Sequence, residues 1–229
     1  MLQKLLKFCK NPAKPFHNVP SVNTCVKWAS GLNDQNPGLP QQKTLTLAVN
    51  FITYLKNSLT LNRPNAVWCT DITYVWTNDG FVYLNCVMDL FARKIIAWTL
   101  SDTMEVSTVI KTIEKAKAIR NTYLPLIIHT DRGSQYVSQA WSEATKNMQR
   151  SHSHKGYPYD NVCIESFHSL IEREWLNRFN IKNYRHAYNL IFEYIETFYN
   201  TVRIHSHCDY MSPDEFEKLY ERVKSLPVA

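Results

Sequence analysis

A short and almost wholly apolar segment, Leu124–Thr130, restricts the folds open to this chain of 229 residues. It has the length of a strand, and its lack of polar alternation indicates a strand that is buried on both faces and paired on both sides. Helices must then cover the two faces of the sheet that contains it. The segment therefore predicts an α/β fold.

Three further strands precede this segment. Ala66–Thr77 is rich in Val, Ile, Thr, Tyr and Trp, which favour strands, and the turn signal Asn78–Gly80 connects it to a second strand, Phe81–Asp89. Arg93–Leu100 is predicted to be a third strand. Helices are predicted over Glu105–Asn121, Ser134–Asn147, Asn161–Phe179, His186–Thr201 and Ser212–Lys224. This order predicts a mixed sheet with helices on its faces. The rings of Trp76, Trp98, Trp141, Trp175 and Phe192 are expected to pack in the core.

The net charge of +6 is concentrated at the start of the chain, because residues 1–60 hold seven lysines and a single acid, Asp34. A basic segment of this kind is typical of a chain near a polyanion, although a solvated arm without a partner fits equally well. From about Arg63 the sequence changes to strongly periodic blocks, so we expect a basic, weakly structured segment over 1–61, for which a truncated DNA-binding part is one interpretation, and a folded core with C-terminal helices over 62–229. No apolar run reaches membrane-spanning length and no signal peptide is evident, so we expect a soluble, cytoplasmic protein with no membrane partner.

The cysteines and histidines carry a weak signal. Six cysteines are too few and too irregularly spaced for a disulfide framework in a chain of this length. His205, His207 and Cys208 lie close together, as do His152 and His154, but no second half-site has zinc-ligand spacing. Reduced thiols and polar loop histidines are the better interpretation.

Three acids stand where a purely structural protein rarely has them. Asp71 interrupts the first predicted strand, Asp131 directly follows the buried strand and precedes Gly133, and Glu165 borders the apolar stripe of a predicted helix. If the first and fourth strands are neighbours, these carboxylates converge and suit a hard cation such as Mg²⁺. Each acid alone could instead be an edge-strand, turn or helix-surface charge, so the metal site remains one interpretation among several.

Four sequence blocks, found in order between about Asn62 and Leu219, resemble those of bacterial insertion-sequence transposases: WCTDITYVWT, HTDRGSQY, KGYPYDNVCIESFHSLIEREW and YIETFYNTVRIHS. The chain is thus similar to the integrase-like catalytic subunit of DDE-type transposases, in the retroviral-integrase superfamily. The resemblance implies an RNase H-like fold with a five-stranded mixed sheet. It also implies an acidic triad of Asp71, Asp131 and Glu165 that holds two Mg²⁺ ions, with Mn²⁺ able to substitute.

The implied reaction is nicking at the ends of an insertion sequence followed by strand transfer, with DNA as the partner. The resemblance further suggests a homo-oligomer on DNA and a DNA-binding protein supplied by an upstream reading frame. Supporting roles are expected for His129, Gly133 and Gln135 near the second acid. DNA contacts are expected from Lys155, Asn161, Arg173 and Arg203, with packing and capping as the alternative for the C-terminal block Tyr199, Asn200, Arg203 and His205.

Three departures from the family pattern raise a second hypothesis. Only 33 residues separate Asp131 from Glu165, a couple fewer than is usual, and the shortening falls within Asn147–His154. Glu172 stands where these enzymes usually have a DNA-contacting cation, and residues 1–60 supply no clear DNA-end-recognition helices. The chain could therefore be a catalytically compromised DNA-binding or transposase-binding remnant. A glycosidase using two of the acids is a weaker alternative.

Overall fold

The computed structural model describes residues 63–120, 125–153 and 161–225, all within the larger of the chain's two compact units, Leu47–Ala229. Five strands form one sheet in the order β3-β2-β1-β4-β5. They are β1 (Val67–Thr77), β2 (Gly80–Asp89), β3 (Lys94–Ser101), β4 (Ile127–Thr130) and β5 (Gln149–His152). Strands β1 to β3 are antiparallel, whereas β4 and β5 run parallel to β1. The predicted mixed α/β sheet of five strands is confirmed.

The hairpin between β1 and β2 turns where the sequence predicts. Gly80 has a φ of +118°, a conformation that L-residues with a side chain rarely adopt. Thr77 steadies the turn by donating its hydroxyl to the Gly80 carbonyl at 2.8 Å. The two strands then pair over ten residue positions, from Trp68 opposite Asp89 to Thr77 opposite Gly80. This long hairpin is the rigid base on which the first acid is carried.

The described helices are α1 (Val106–Ile119), α2 (Gln139–Ala144), α3 (Val162–Glu174), α4 (Tyr184–Tyr194) and α5 (Pro213–Lys224). A π-helical turn, Ile195–Tyr199, continues α4, and a 3₁₀ turn, Leu176–Arg178, follows α3. Helices α3 and α4 cover the face of the sheet that includes Cys69 and Val75, and α1 and α2 cover the face that includes Trp68 and Ile72. Helix α5 lies within the predicted range, and a capping box of Ser212 and Glu215 stabilises its start.

Two helices are shorter than predicted, for local reasons. The helix expected over Ser134–Asn147 begins only at Gln139, because the Ser138 side chain caps the Trp141 N–H and the preceding residues form a turn in which Tyr136 is buried. The helix expected to reach Phe179 ends at Glu174, where Trp175 leaves helical geometry with φ −136° and ψ −67°.

Two of the aromatic residues expected in the core lie on the surface. Trp98 and Trp141 are buried as expected, but the Trp76 side chain is 62% exposed and that of Phe192 is 47% exposed. Trp76 stacks edge-on against Phe81 near the hairpin tip, with ring centroids 4.8 Å apart. The expectation of core packing is therefore wrong for Trp76 and Phe192.

Candidate active site

The register between β1 and β4 brings the first two acids to the same level of the sheet. The parallel pair runs from Val67 beside Ile127 to Thr70 beside Thr130, and Asp71 and Asp131 are the next residue of each strand. Hydrogen-bonded strands lie about 4.8 Å apart, so the two backbones hold these aspartates as immediate neighbours. Asp71 shares its face with Cys69 and Val75, the face covered by α3.

Helix α3 supplies the third acid. Its apolar residues Ile164, Phe167 and Ile171 are buried against the sheet, which fixes the rotation of the helix. Glu165, next to Ile164, lies at the edge of this buried stripe, and its residue as a whole is exposed. Partial burial of its carboxylate and the nearby negative charge of Asp131 both raise its pKa above the usual value. The Asp131 charge thus reaches the Glu165 carboxylate.

Asp71 is the most strongly perturbed acid of the site. Its pKa is raised to about 7, chiefly by burial and in smaller part by the negative charges of Asp131 and Glu165, while a hydrogen bond from the Ile72 backbone N–H lowers it. Three carboxylates of like charge therefore lie near one another without a cationic side chain among the causes of the shift. Perturbed acids of this kind cluster at functional sites.

The loop after β4 holds Asp131 through its own backbone. The Gly133 N–H donates to Asp131 Oδ1 at 2.9 Å, and a Cβ atom at Gly133 would lie 3.1 Å from the same oxygen. Gln135 anchors the loop by donating to the Met104 carbonyl at 3.1 Å. Of the three residues for which supporting roles are predicted, Gly133 thus contacts the Asp131 carboxylate directly, and Gln135 anchors the loop that follows it.

A buried polar network connects this loop to the strand that carries Asp71. The Tyr136 hydroxyl lies 3.4 Å from Thr70 Oγ1, and Thr70 donates to Asn85 Oδ1 at 3.1 Å. Asn85 donates in turn to Thr112 on α1 at 3.0 Å. Because Thr70 precedes Asp71 and Tyr136 follows Asp131, the network fixes the two aspartates relative to each other.

His129 contacts two serines of the neighbouring strand region. Its ring nitrogens lie 3.0 Å from the Ser151 hydroxyl and 3.2 Å from the Ser153 hydroxyl. Both serines are at or just beyond β5, which pairs with β4 along all four residues. His129 therefore connects the fourth and fifth strands, and the shortened segment still forms a complete edge strand.

Helix α3 contributes one more group that faces the acids. His168 Nδ1 lies 3.6 Å from Asp71 Oδ2, and the ring is buried. Burial lowers the pKa of His168 to about 3, so the ring is neutral and the contact is not an ion pair. His168 follows Glu165 by three residues, hence about one helical turn, and that spacing is the signal that could have identified it. Asn85, a polar residue within an otherwise apolar strand, carried a comparable signal.

The residues predicted to contact DNA are in different environments. Arg173 is exposed on α3 and donates from Nε to the Ser169 carbonyl at 3.2 Å. Asn161 is buried at the start of α3, which favours packing over contact with DNA. Lys155 lies outside the described residues. These assignments stay predictions.

The C-terminal block makes internal contacts. Arg203 binds Glu174 through two hydrogen bonds of 2.8 and 2.7 Å. Asn200 pairs with both the N–H and the carbonyl of Ile95 on β3, at 3.0 and 2.9 Å, and Tyr199 donates to the Arg93 carbonyl. His205 is buried against the Tyr199 ring. These contacts favour the packing alternative for the block.

The described part of the chain contains no ready-made metal cluster. Among residues 63–120, 125–153 and 161–225, no three His, Cys, Asp or Glu side chains converge as a preformed site, the three acids included. His207 and Cys208 bind the carbonyls of Phe91 and Ala92.

None of the helices in the described part is long and apolar enough to cross a membrane.

The sheet order, the helices on both faces and the acids on β1, β4 and α3 define an RNase H-like core. Two solved structures share this fold. The simian T-cell lymphotropic virus intasome in complex with PP2A regulatory subunit B56 gamma matches with a TM-score of 0.58 at 18% identity, over 73% of this chain and 58% of that chain. The HTLV-2 integrase catalytic core domain in complex with magnesium matches with a TM-score of 0.52 at 16% identity, over 68% of this chain and 97% of that chain.

Sequence comparisons narrow the class further. Two family models, each described as an integrase core domain, match residues 62–158 and 146–213. The transposase for insertion sequence element IS904 of Lactococcus lactis subsp. lactis (strain IL1403) is 42% identical over 157 residues, which cover 68% of this chain and 62% of that protein. Transposase InsF for insertion sequence IS3A of Escherichia coli (strain K12) is 36% identical over 165 residues, which cover 71% of this chain and 57% of that protein.

The chain belongs to the integrase-core family, and the two relatives to which it is similar are insertion-sequence transposases. It spans less than two thirds of the length of each of these two relatives.

Proposed function

We propose that this chain is the catalytic core of a transposase that nicks DNA at the ends of an insertion sequence and transfers the strand to a target. The observation that carries the proposal is the register of β1 and β4, which places Asp71 and Asp131 side by side, with Glu165 close enough to interact with both charges. The nucleophiles would be water in the first step and the freed 3′-hydroxyl in the second.

The chemistry of the acids fits a divalent cation. Family membership implies a divalent metal, and we propose two Mg²⁺ ions, or Mn²⁺ in their place, held by Asp71, Asp131 and Glu165. Carboxylate oxygens are the ligands that Mg²⁺ prefers, and a bound cation would relieve the repulsion that raises the pKa of Asp71. When bound, such ions stabilise the attacking and leaving oxygens of an in-line phosphoryl displacement.

The protein's own contribution is orientation. The Gly133 N–H holds one oxygen of Asp131, and the Thr70–Asn85–Tyr136 network fixes β1 against the loop that carries Asp131. Misplacement by about 1 Å can cost two orders of magnitude in rate, so these contacts matter as much as the acids themselves. Arg173 and Lys155 are proposed to contact phosphates of the bound strand.

We further propose the partners that the family suggests. These are the terminal inverted repeats and target DNA, a second copy of the chain on that DNA, and a DNA-binding protein from an upstream reading frame. The site of action would be the nucleoid of a bacterial cytoplasm. The complete pairing of β5 with β4 supports an intact core over a decayed remnant.

The test is a nicking and strand-transfer assay with labelled element-end DNA in Mg²⁺, Mn²⁺ or EDTA. We expect metal-dependent product that is lost in Asp131→Asn and retained in Asp79→Asn, a matched change at the exposed hairpin turn. The absence of product from a folded wild-type chain would instead favour the remnant. In that case, restoring two residues within Asn147–His154 would show whether the short segment is the cause.

A further inference from the structure

His168 is a buried side chain that faces the first acid and has no role in the triad. Its residue is 7% exposed, and its Nδ1 atom lies 3.6 Å from Asp71 Oδ2. The other ring nitrogen, Nε2, is also buried and has no hydrogen-bond partner among the residues that the structure describes. Buried polar atoms of this kind are rare and call for an explanation.

The surroundings determine which nitrogen carries the proton. A neutral imidazole has one N–H group, and a carboxylate oxygen can only accept. A proton on Nε2 would have no acceptor in the described surroundings, whereas a proton on Nδ1 points at Asp71 Oδ2. The tautomer assigned from these neighbours is therefore Nδ1–H. The separation of 3.6 Å is longer than a formed hydrogen bond, so the two groups must move closer by about half an ångström for the bond to form.

Building on the proposed function, we propose that His168 is a positioning residue that donates from Nδ1 to Asp71 Oδ2 and so leaves Oδ1 to bind the divalent cation. The residue acts only through Asp71 and does not touch the reacting atoms. Helix α3 then contributes twice to the site, once through Glu165 and once, a turn later, through the group that orients Asp71. Partners that orient metal-binding side chains in this way typically change metal affinity or activity by 10- to 100-fold.

His205 offers a matched control within the same chain. Its ring is also largely buried, and its Nε2 atom also has no hydrogen-bond partner in the described part of the chain. The ring packs against Tyr199, with centroids 4.9 Å apart, and not against an acid of the site. A purely structural role for buried imidazoles would make the two histidines equivalent in any measurement of metal binding.

The first experiment measures Mn²⁺ binding to the full chain by electron paramagnetic resonance, without DNA. We expect His168→Phe, which keeps a ring but loses the donor, to raise the Mn²⁺ Kd about tenfold. His168→Asn, whose amide nitrogen can replace Nδ1 as donor, should restore most of the affinity. His205→Phe should bind Mn²⁺ like the wild type. An unchanged Kd in His168→Phe would overturn the proposal.

The wild-type chain separates this inference from the function on which it rests. If the wild type binds no Mn²⁺, or if Asp131→Asn binds it equally well, the metal site itself is wrong and the inference falls with it. If Mn²⁺ binding depends on Asp131 but not on His168, only the inference is wrong.

A second measurement, of the histidine tautomers by NMR, uses only the wild-type protein and so does not depend on any variant folding. Long-range ¹H–¹⁵N spectra of the wild-type imidazoles distinguish the two neutral tautomers, and resonance assignment identifies His168. Well above pH 7, where Asp71 is ionised and can only accept, we expect His168 to carry its proton on Nδ1, and a proton on Nε2 under that condition would contradict the proposed donor.

Discussion

Two polar regions of this protein were given functional roles on similar sequence grounds, and the structure treats them differently. At the acidic site, Asp71, Asp131 and Glu165 lie within reach of one another's charge, and the pKa of Asp71 rises to about 7. In the C-terminal block, Arg203 is bonded to Glu174, and Asn200 to both backbone groups of Ile95. The first region holds like charges together, whereas the second pairs each of these groups with a partner of its own.

The direction of the pKa shift distinguishes a carboxylate with a structural role from one that is a candidate for ligand binding. Burial alone would raise the pKa of Glu174, but hydrogen bonds and charge from Arg203 hold it below the usual value, so this carboxylate is stabilised as an anion. Asp71 is destabilised as an anion by its surroundings. A polar group whose environment opposes its charge is the better candidate for binding a ligand.

The strongest test of this contrast is Asp71→Asn. We expect metal-dependent cleavage to fall by about a thousandfold or more, because a metal ligand is lost. The metal-free variant should nevertheless have a higher Tm than the wild type at pH 7.5, because it lacks a buried charge. Calorimetry in EDTA measures the second effect, and a lower Tm would show that the Asp71 carboxylate stabilises the fold.

The stability difference between the wild type and Asp71→Asn should also depend on pH, in a direction that the raised pKa of Asp71 determines. The pKa of Asp71 is raised from 3.8 to about 7 by folding, so between these values the folded wild type holds a proton that the unfolded chain has lost. Wild-type stability, relative to Asp71→Asn, should therefore fall as pH rises from about 4 to about 7 and then level off. A difference that is constant over pH 4–8 would contradict the raised pKa.

Arg203→Ala, in the C-terminal block, should lower stability without changing DNA binding, the reverse of the effect expected for Asp71→Asn. It leaves a partly buried Glu174 bonded to the Tyr194 hydroxyl but without its guanidinium partner. The cost is about 2 kcal/mol in the free energy of unfolding, since both side chains of the ion pair retain some exposure. The salt dependence of DNA binding should not change. Denaturant unfolding and binding at several salt concentrations measure the two effects. Unchanged stability with a shallower salt slope would show instead that Arg203 contacts phosphate.

The sequence predicted the first region better than the second for a physical reason. Asp71 within a strand and Asp131 directly after one are anomalies of local pattern. They converge if the first and fourth strands are neighbours, and β1 does pair with β4. The partners of Arg203 and Asn200 are 29 and 105 residues away in sequence, so spacing cannot reveal them. Likewise, periodicity placed Trp76 on a face of β1 but could not show where the covering helices end.

Gly133→Ala should produce a smaller loss confined to the acidic site. The added Cβ would lie 3.1 Å from Asp131 Oδ1 and 3.3 Å from Gln135 Oε1, so the carboxylate must shift. We expect about a tenfold lower cleavage rate with little change in Tm. Gly80→Ala is the converse control: nothing lies within 4 Å of its Cβ position, but its φ of +118° should cost about 1 kcal/mol of stability without affecting the cleavage rate of folded protein. Equal effects of both on rate would argue against a local cause at Gly133.

Glu172→Lys should have the smallest effect, and it tests where the DNA strand runs. Glu172 lies seven residues after Glu165 on α3, hence two turns along nearly the same face. A cation there should steepen the dependence of log K on log salt by about one unit, because one more phosphate is neutralised. Glu221→Lys, the same change of charge on the exposed surface of α5, should leave the slope unaltered. Equal steepening in both variants would mean that net charge, and not the face of α3 beside the acids, governs the electrostatics of DNA binding.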